Sequence, residues 1–152
     1  MLTTFKELTV WQEAMKLVEL VYLYTKNFPK EEIYGLTSQM RRSAISIPAN
    51  IAEGYRRKGK NEYLYFLSIA SGSIAELETY ILIAQRLNFL TKDNLDILQA
   101  QVDLTGRLLS ALRKSLAVKS RPPTPDTRPL SSDPRTTNPK PRTLNPIYGE
   151  KQ

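Results

Sequence analysis

QMRRSAISIPANIAEGY, Gln39 to Tyr55, is the stretch whose reading decides the fold. At about 100° per residue from Leu36, the side chains of Leu36, Met40, Ala44, Ile47, Ile51 and Tyr55 share one face of a helix. Ile45, Ala49 and Ala52 fall on the opposite side, flanked by Arg41 and Arg56. A helix on the outside of a monomeric bundle is polar there, so a second apolar face of small residues predicts a second partner. Pro48 removes one backbone hydrogen bond in mid-stretch and crowds the carbonyl of Ala44. The apolar stripe continues in phase from Ile47 to Ile51 and Tyr55, which favours a kinked helix over two short helices broken at Ile47.

Heptad stripes flank this helix. Val10, Ala14, Leu17, Val21, Tyr24 and Phe28 form one, and Tyr63, Leu67, Ala70, Ile74, Leu77, Ile81 and Ala84 a second. Leu95, Leu98, Val102, Thr105, Leu109, Leu112 and Leu116 form a third. Such spacing predicts shallow helix crossings. Phe28-Pro29 ends the first helix, since the residue before proline avoids the α region. Gly59 to Asn61 separates the second and third helices, and Thr91 with Asp93 opens the fourth. The expected fold is all-α, an up-down-up-down four-helix bundle of residues 1–120 with helices of roughly 20 to 27 residues.

Residues 121–152 differ. Eight of the ten prolines lie between Pro122 and Pro146, and bulky apolar residues are nearly absent. This predicts a disordered, Pro-rich C-terminal tail. Its composition suits a spacer better than a nucleic-acid-tethering arm.

The chain has 152 residues, with no cysteine and no histidine. Disulfides, thiolate nucleophiles, cysteine zinc sites and imidazole bases are thereby excluded. Bundle di-metal sites rely on Glu-x-x-His pairs, and Asp93 and Asp96 suit a helix first turn better than a metal. The expectation is a protein without catalytic residues, metal or cofactor. The N-terminus shows no apolar signal core, and no apolar run approaches the ~20 residues of a membrane span. A cytoplasmic protein without membrane contact is expected.

The formal charge is +7, which favours polyanionic partners. Arg41, Arg42, Arg56, Arg57, Lys58 and Lys60 oppose the single acid Glu53 within residues 41–60. These six are the candidate nucleic-acid-binding residues. Arginine forks match phosphate oxygens, and Tyr55 and Tyr63 offer rings for stacking on unpaired bases. The competing reading is structural: Glu53 pairs with Arg57 at i, i+4 and lies nearly in line with Arg42, organising a surface network. No base-reading motif is present, so binding is expected through the phosphate backbone of RNA or DNA and to be salt-sensitive.

The third helix also carries Tyr65, Ile69, Tyr80, Ile83 and Leu87 off its stripe, and its centre, SIASGSIAE, holds Gly72. The fourth adds Ile97, Leu104 and Ala111. Second apolar faces on three helices argue for a homo-oligomer.

FKELTVWQEAMKLVELVY (Phe5–Tyr22), YGLTSQMRRSAISIPANIAEGY (Tyr34–Tyr55) and FLSIASGSIAELETYILIA (Phe66–Ala84) resemble the four-helix proteins of the 23S rRNA intervening-sequence family, most specifically through IPANIAEG. The resemblance covers roughly residues 3–118. It implies a four-helix protomer in a ring-shaped homopentamer. It also implies kinship with the accessory variability proteins of diversity-generating retroelements, basic pentamers that bind nucleic acid and a reverse transcriptase. The positions matching the motif are Arg41, Arg42, Pro48, Asn50, Glu53 and Gly54, and the family offers no agreed catalytic residues. Ile45, Pro48, Ala49, Asn50, Ala52, Glu53 and Gly54 are accordingly expected as structural or oligomer-interface positions. The serine often seen before the third helix is missing, leaving Asn61 as its candidate cap. The function expected is a non-enzymatic, homo-oligomeric accessory protein binding RNA or DNA. The alternative is a protein-interaction scaffold, for instance one holding a reverse transcriptase.

Overall fold

The computed structural model describes residues 2–118. The expected tail lies outside them. Four helices follow one another: α1 Thr9–Thr25, α2 Leu36–Arg56, α3 Lys60–Arg86 and α4 Lys92–Val118. Short 3-10 helices at Phe5–Glu7 and Lys30–Tyr34 precede α1 and α2. Each helix packs on its chain neighbour and α4 closes against α1, with α2 and α3 in the most extensive contact. The all-α bundle is therefore as expected, with no strand among the described residues.

The predicted stripes form the core. Leu17, Val21, Met40, Ile47, Ile51, Leu67, Leu77, Ile81, Leu98 and Leu109 are all buried, each contributing about 1.5–3 kcal/mol relative to exposure. Thr105, the polar member of the α4 stripe, is fully buried and donates its hydroxyl to the Gln101 carbonyl at 2.8 Å. A buried hydroxyl is tolerable when bonded in this way. Gln101 also ties α4 to α1, donating to Glu13 Oε2 at 2.8 Å. The Glu13 carboxylate accepts from Lys16 as well, and these hydrogen bonds, that of Lys16 foremost, hold its pKa below the usual carboxylate value.

Boundaries differ from expectation in two places. The first helix ends at Thr25, before Phe28-Pro29. Thr25 Oγ1 turns back to the Val21 carbonyl at 2.7 Å, and Phe28 leaves the helix to meet Phe89 at 5.5 Å between ring centroids. That pair joins the α1–α2 connection to the α3–α4 loop. Secondly, Asn61 does not cap α3. Gly59 occupies that position without a side-chain cap, and Asn61 already lies inside the helix. By contrast, α2 runs unbroken through Pro48, as the continuous stripe leads one to expect.

Thr91 caps α4 as expected, its Oγ1 accepting from the Asn94 amide at 3.2 Å. The end of α3 carries a feature absent from the sequence reading. Asn88 has φ 59°, Phe89 N donates to the Ala84 carbonyl and Asn88 N to the Gln85 carbonyl. This is the Schellman closure, with asparagine in the place glycine usually takes.

One expectation needs correction. By length and composition α3 is apolar enough to cross a membrane, with a mean hydropathy of 1.3 over its most apolar window. Only 33% of that window is buried within the chain. The cause is apolar residues on two faces: Leu67, Ala70, Ile74, Leu77, Ile81 and Ala84 line the core, while Tyr65, Leu82, Ile83 and Leu87 are exposed.

Candidate nucleic-acid interface

The basic end of the bundle begins with a glycine. Gly54 is buried where α2 meets the first turns of α3. A Cβ there would sit 2.9 Å from Phe66 Cβ and 2.9 Å from Tyr63 Cδ2. Only glycine permits this approach without displacement. The close packing sets the three-residue turn Arg57–Gly59, with Arg57 N donating to the Gly54 carbonyl at 3.1 Å.

Four of the six predicted cations gather around that turn. Arg57 reaches back to the Glu53 carboxylate, and its guanidinium lies 4.8 Å from the Phe66 ring centroid. Arg56 points the other way and lies 5.6 Å from the Phe5 ring centroid. Lys58 is exposed. The Lys60 ammonium is enclosed and has no hydrogen-bond partner among the described residues. A cavity of about 210 Å³ is lined by Arg57, Lys58, Gly59, Lys60, Tyr63 and Leu116. The antiparallel return of α4 brings two more cations to this end. Arg113 and Lys114 line a neighbouring groove of about 410 Å³ with Leu64 and Ala117. The sequence reading missed them, although the alternating direction of four helices of this length places the end of α4 beside the start of α3.

Arg41 and Arg42 do not join this group. Fifteen residues separate Arg41 from Arg56, about 22 Å of helix at 1.5 Å per residue. Arg41 is half-buried against α1, donating from Nε to Thr25 Oγ1 at 3.0 Å with its guanidinium 4.6 Å from the Tyr22 ring centroid. Arg42 is exposed on the same far portion of α2. Glu53 thus organises Arg57 and not Arg42, eleven residues and about 16 Å away.

Nor are Tyr55 and Tyr63 a free stacking platform. They contact each other edge to face at 6.2 Å between centroids, and the Tyr55 hydroxyl donates to the Leu2 carbonyl at 2.9 Å. Burial, then the neighbouring Tyr55, pushes the Tyr63 phenol from 10.0 up to about 12. Tyr65, 63% exposed, is the ring at this end that faces outward.

The predicted seam residues divide between two surfaces. Pro48 and Gly54 are buried inside the bundle. Asn50 donates to the Ser46 carbonyl at 2.8 Å and to Ser46 Oγ at 3.0 Å, and Ser73 Oγ of α3 lies 2.8 Å from the same hydroxyl. Asn50 therefore supports the α2–α3 contact. Ile45, Ala49 and Glu53 are exposed and Ala52 half-buried, which leaves them on the outward face.

The model of the 23S rRNA-intervening sequence protein family matches residues 6–111. A crystal structure of a protein with unknown function from the S23 ribosomal protein family of Bacteroides thetaiotaomicron VPI-5482 superposes with a TM-score of 0.63. That protein is 23% identical, with 69% of this chain and 95% of the other covered, a likeness of fold. No curated protein matches the chain. With IPANIAEG at the centre of the matched region and the four-helix fold described above, the chain belongs to the 23S rRNA-intervening sequence protein family.

Proposed function

We propose that this chain is a non-enzymatic, homo-oligomeric accessory protein that binds RNA or DNA through the basic end of its bundle. The observation that carries the reading is the gathering of Arg56, Arg57, Lys58 and Lys60 at the α2–α3 turn, with Arg113 and Lys114 of α4 at the same end. Contacts are chiefly to phosphate, because the cluster offers charge and donor forks without a base-reading element. In a homopentamer the cluster is repeated five times around a ring, which multiplies its field and the effective concentration of each site. The outward apolar residues of α2 and α3 favour such an assembly.

The test is a mobility shift of structured RNA at about 50 mM salt, repeated as salt rises. Retardation that fades with salt supports the reading, and unchanged mobility with micromolar protein rejects it. Arg57→Glu with Lys58→Glu weakens the shift, while Arg42→Glu, far along α2, leaves most of it.

A second reading rests on the opposite end of the bundle. Leu23, Ile33, Tyr34 and Leu87 are 52%, 53%, 95% and 49% exposed there. Such a surface suits a scaffold that holds a protein partner, a reverse transcriptase being one candidate. Recovery of one defined protein after nuclease treatment, lost on Tyr34→Asp, favours the scaffold.

A further inference from the structure

Lys60 presents a problem that the general reading leaves unsolved. Its ammonium is enclosed within the bundle end and has no hydrogen-bond partner among the described residues. An ammonium removed from water without a counter-charge is costly. Of the nearby acids, Glu53 binds Arg57, and the Glu62 carboxylate lies beside Gly59, with Oε2 3.3 Å from where a Cβ would stand, without an ion pair to Lys60. The adjoining cavity, about 210 Å³, has three cationic residues in its wall, Arg57, Lys58 and Lys60, and no acid among the described residues. At about 30 Å³ per water, it has room for a small hydrated anion. Tyr63, also in the wall, carries a phenol that is protonated at neutral pH, as any tyrosine is, and so is a donor.

We propose that this cavity is a seat for one phosphate group, with Lys60 as its central cation and Arg57 and Lys58 closing over it. The seat rests on the nucleic-acid reading for its larger purpose, since it fixes one point of the bound strand. A phosphomonoester carries about −1.5 to −2 charge at pH 7, more than an internal diester. A strand terminus is therefore preferred to a mid-strand phosphate, and free inorganic phosphate shares the same chemistry.

The experiment uses the full chain and compares wild type with Lys60→Met and Arg42→Gln. Each variant removes one positive charge, but only the first touches the cavity. Thermal melts are recorded in inorganic phosphate and in chloride at matched ionic strength. Phosphate raises the midpoint of wild type and Arg42→Gln by several degrees and that of Lys60→Met not at all. Equal shifts in all three, or none in wild type, overturn the seat. Lys58→Gln replaces Lys60→Met should the latter fail to fold, and loses part of the shift. A second arm compares short single-stranded RNA with a 5′-phosphate or a 5′-hydroxyl. A preference of about tenfold for the phosphate, the size of one charge-assisted contact, assigns the seat to strand ends. Equal affinity alongside a Lys60-dependent melting shift supports the seat and assigns it to free phosphate. Salt-sensitive RNA binding without any Lys60-dependent phosphate effect overturns the seat and leaves the nucleic-acid reading intact. A phosphate effect without RNA binding does the reverse.

Discussion

The seam between α2 and α3 and the outward faces of the same two helices are built from similar small residues, yet they differ in what surrounds them. In the seam, Ser43 and Ser73 are buried, Ser46 and Ser73 approach to 2.8 Å, and Gly54 lies against Tyr63 and Phe66. On the outward side Ala49 and Gly72 are exposed, and a Cβ on Gly72 would meet nothing within 4 Å. Small size alone therefore does not indicate where two helices approach. It matters where another helix faces it, as Ser73 faces Ser46 and as Tyr63 and Phe66 fill the space that Gly54 leaves.

Gly54→Ala breaks the seam and carries the largest expected effect. The added methyl enters Phe66 Cβ and Tyr63 Cδ2 at 2.9 Å and stands 3.2 Å from the Tyr63 carbonyl. The last of these is backbone and yields only if α3 shifts. Overpacking of this kind costs about 1–3 kcal/mol, measured as a lower urea midpoint at unchanged slope. A variant as stable as wild type shows that the seam opens freely.

The seam also has a pH signature. Tyr63 titrates at about 12 in the folded chain against 10.0 for an ordinary phenol, through burial first and Tyr55 second. The folded state thus holds its proton longer than the unfolded one, and the linked stability is intact below pH 10 and declines as pH rises toward 12. Tyr63→Phe removes that decline. Melting temperatures of both proteins from pH 9 to 12 check it, and parallel curves reject burial of the phenol.

The heptad stripes made the core legible because α1, α3 and α4 each bury a row at 3-4 spacing, and the row of α2 was legible by angle. The site was less so. Arg41 and Arg57 share one basic run of sequence, but helix rise carries them about 22 Å or more apart, and Arg41 is taken up by Thr25 and Tyr22 of α1. Arg113 and Lys114 lie more than fifty residues after the run and return to it through topology. Pro48 and Gly54 belonged to the same short motif as Ala49 and Ala52, and only side-chain direction separates the buried pair from the outward ones. Asn88 took the left-handed position at the end of α3, a role that asparagine fills too seldom for its presence to announce it.

Gly72→Ala sharpens the other half of the comparison with a smaller effect of opposite sign. Gly72 lies in mid-helix and its Cβ position is open. Alanine there raises stability by about 0.5–1 kcal/mol through helix propensity. A rise in the urea midpoint shows an uncrowded position. A fall shows that a second copy packs against Gly72 in solution and that this part of α3 belongs to the assembly surface.

Ile45→Glu has the smallest expected effect on folding and a decisive one on association. Ile45 is 44% exposed and points away from the stripe that fills the core. A charge there changes protomer stability by no more than about 0.5 kcal/mol, as for surface substitutions generally. In a homo-oligomer whose contact includes Ala49 and Ala52 on the same face, the new carboxylate becomes desolvated without a partner. Light scattering then reports a fall from the assembled mass to that of the protomer at micromolar concentration, with the helical circular dichroism unchanged. An assembled mass that survives the substitution moves the contact off the outward face of α2. A wild-type protein that already runs as a protomer removes the oligomer from the proposed function and leaves Ile45 among the scattered apolar residues that any bundle surface tolerates.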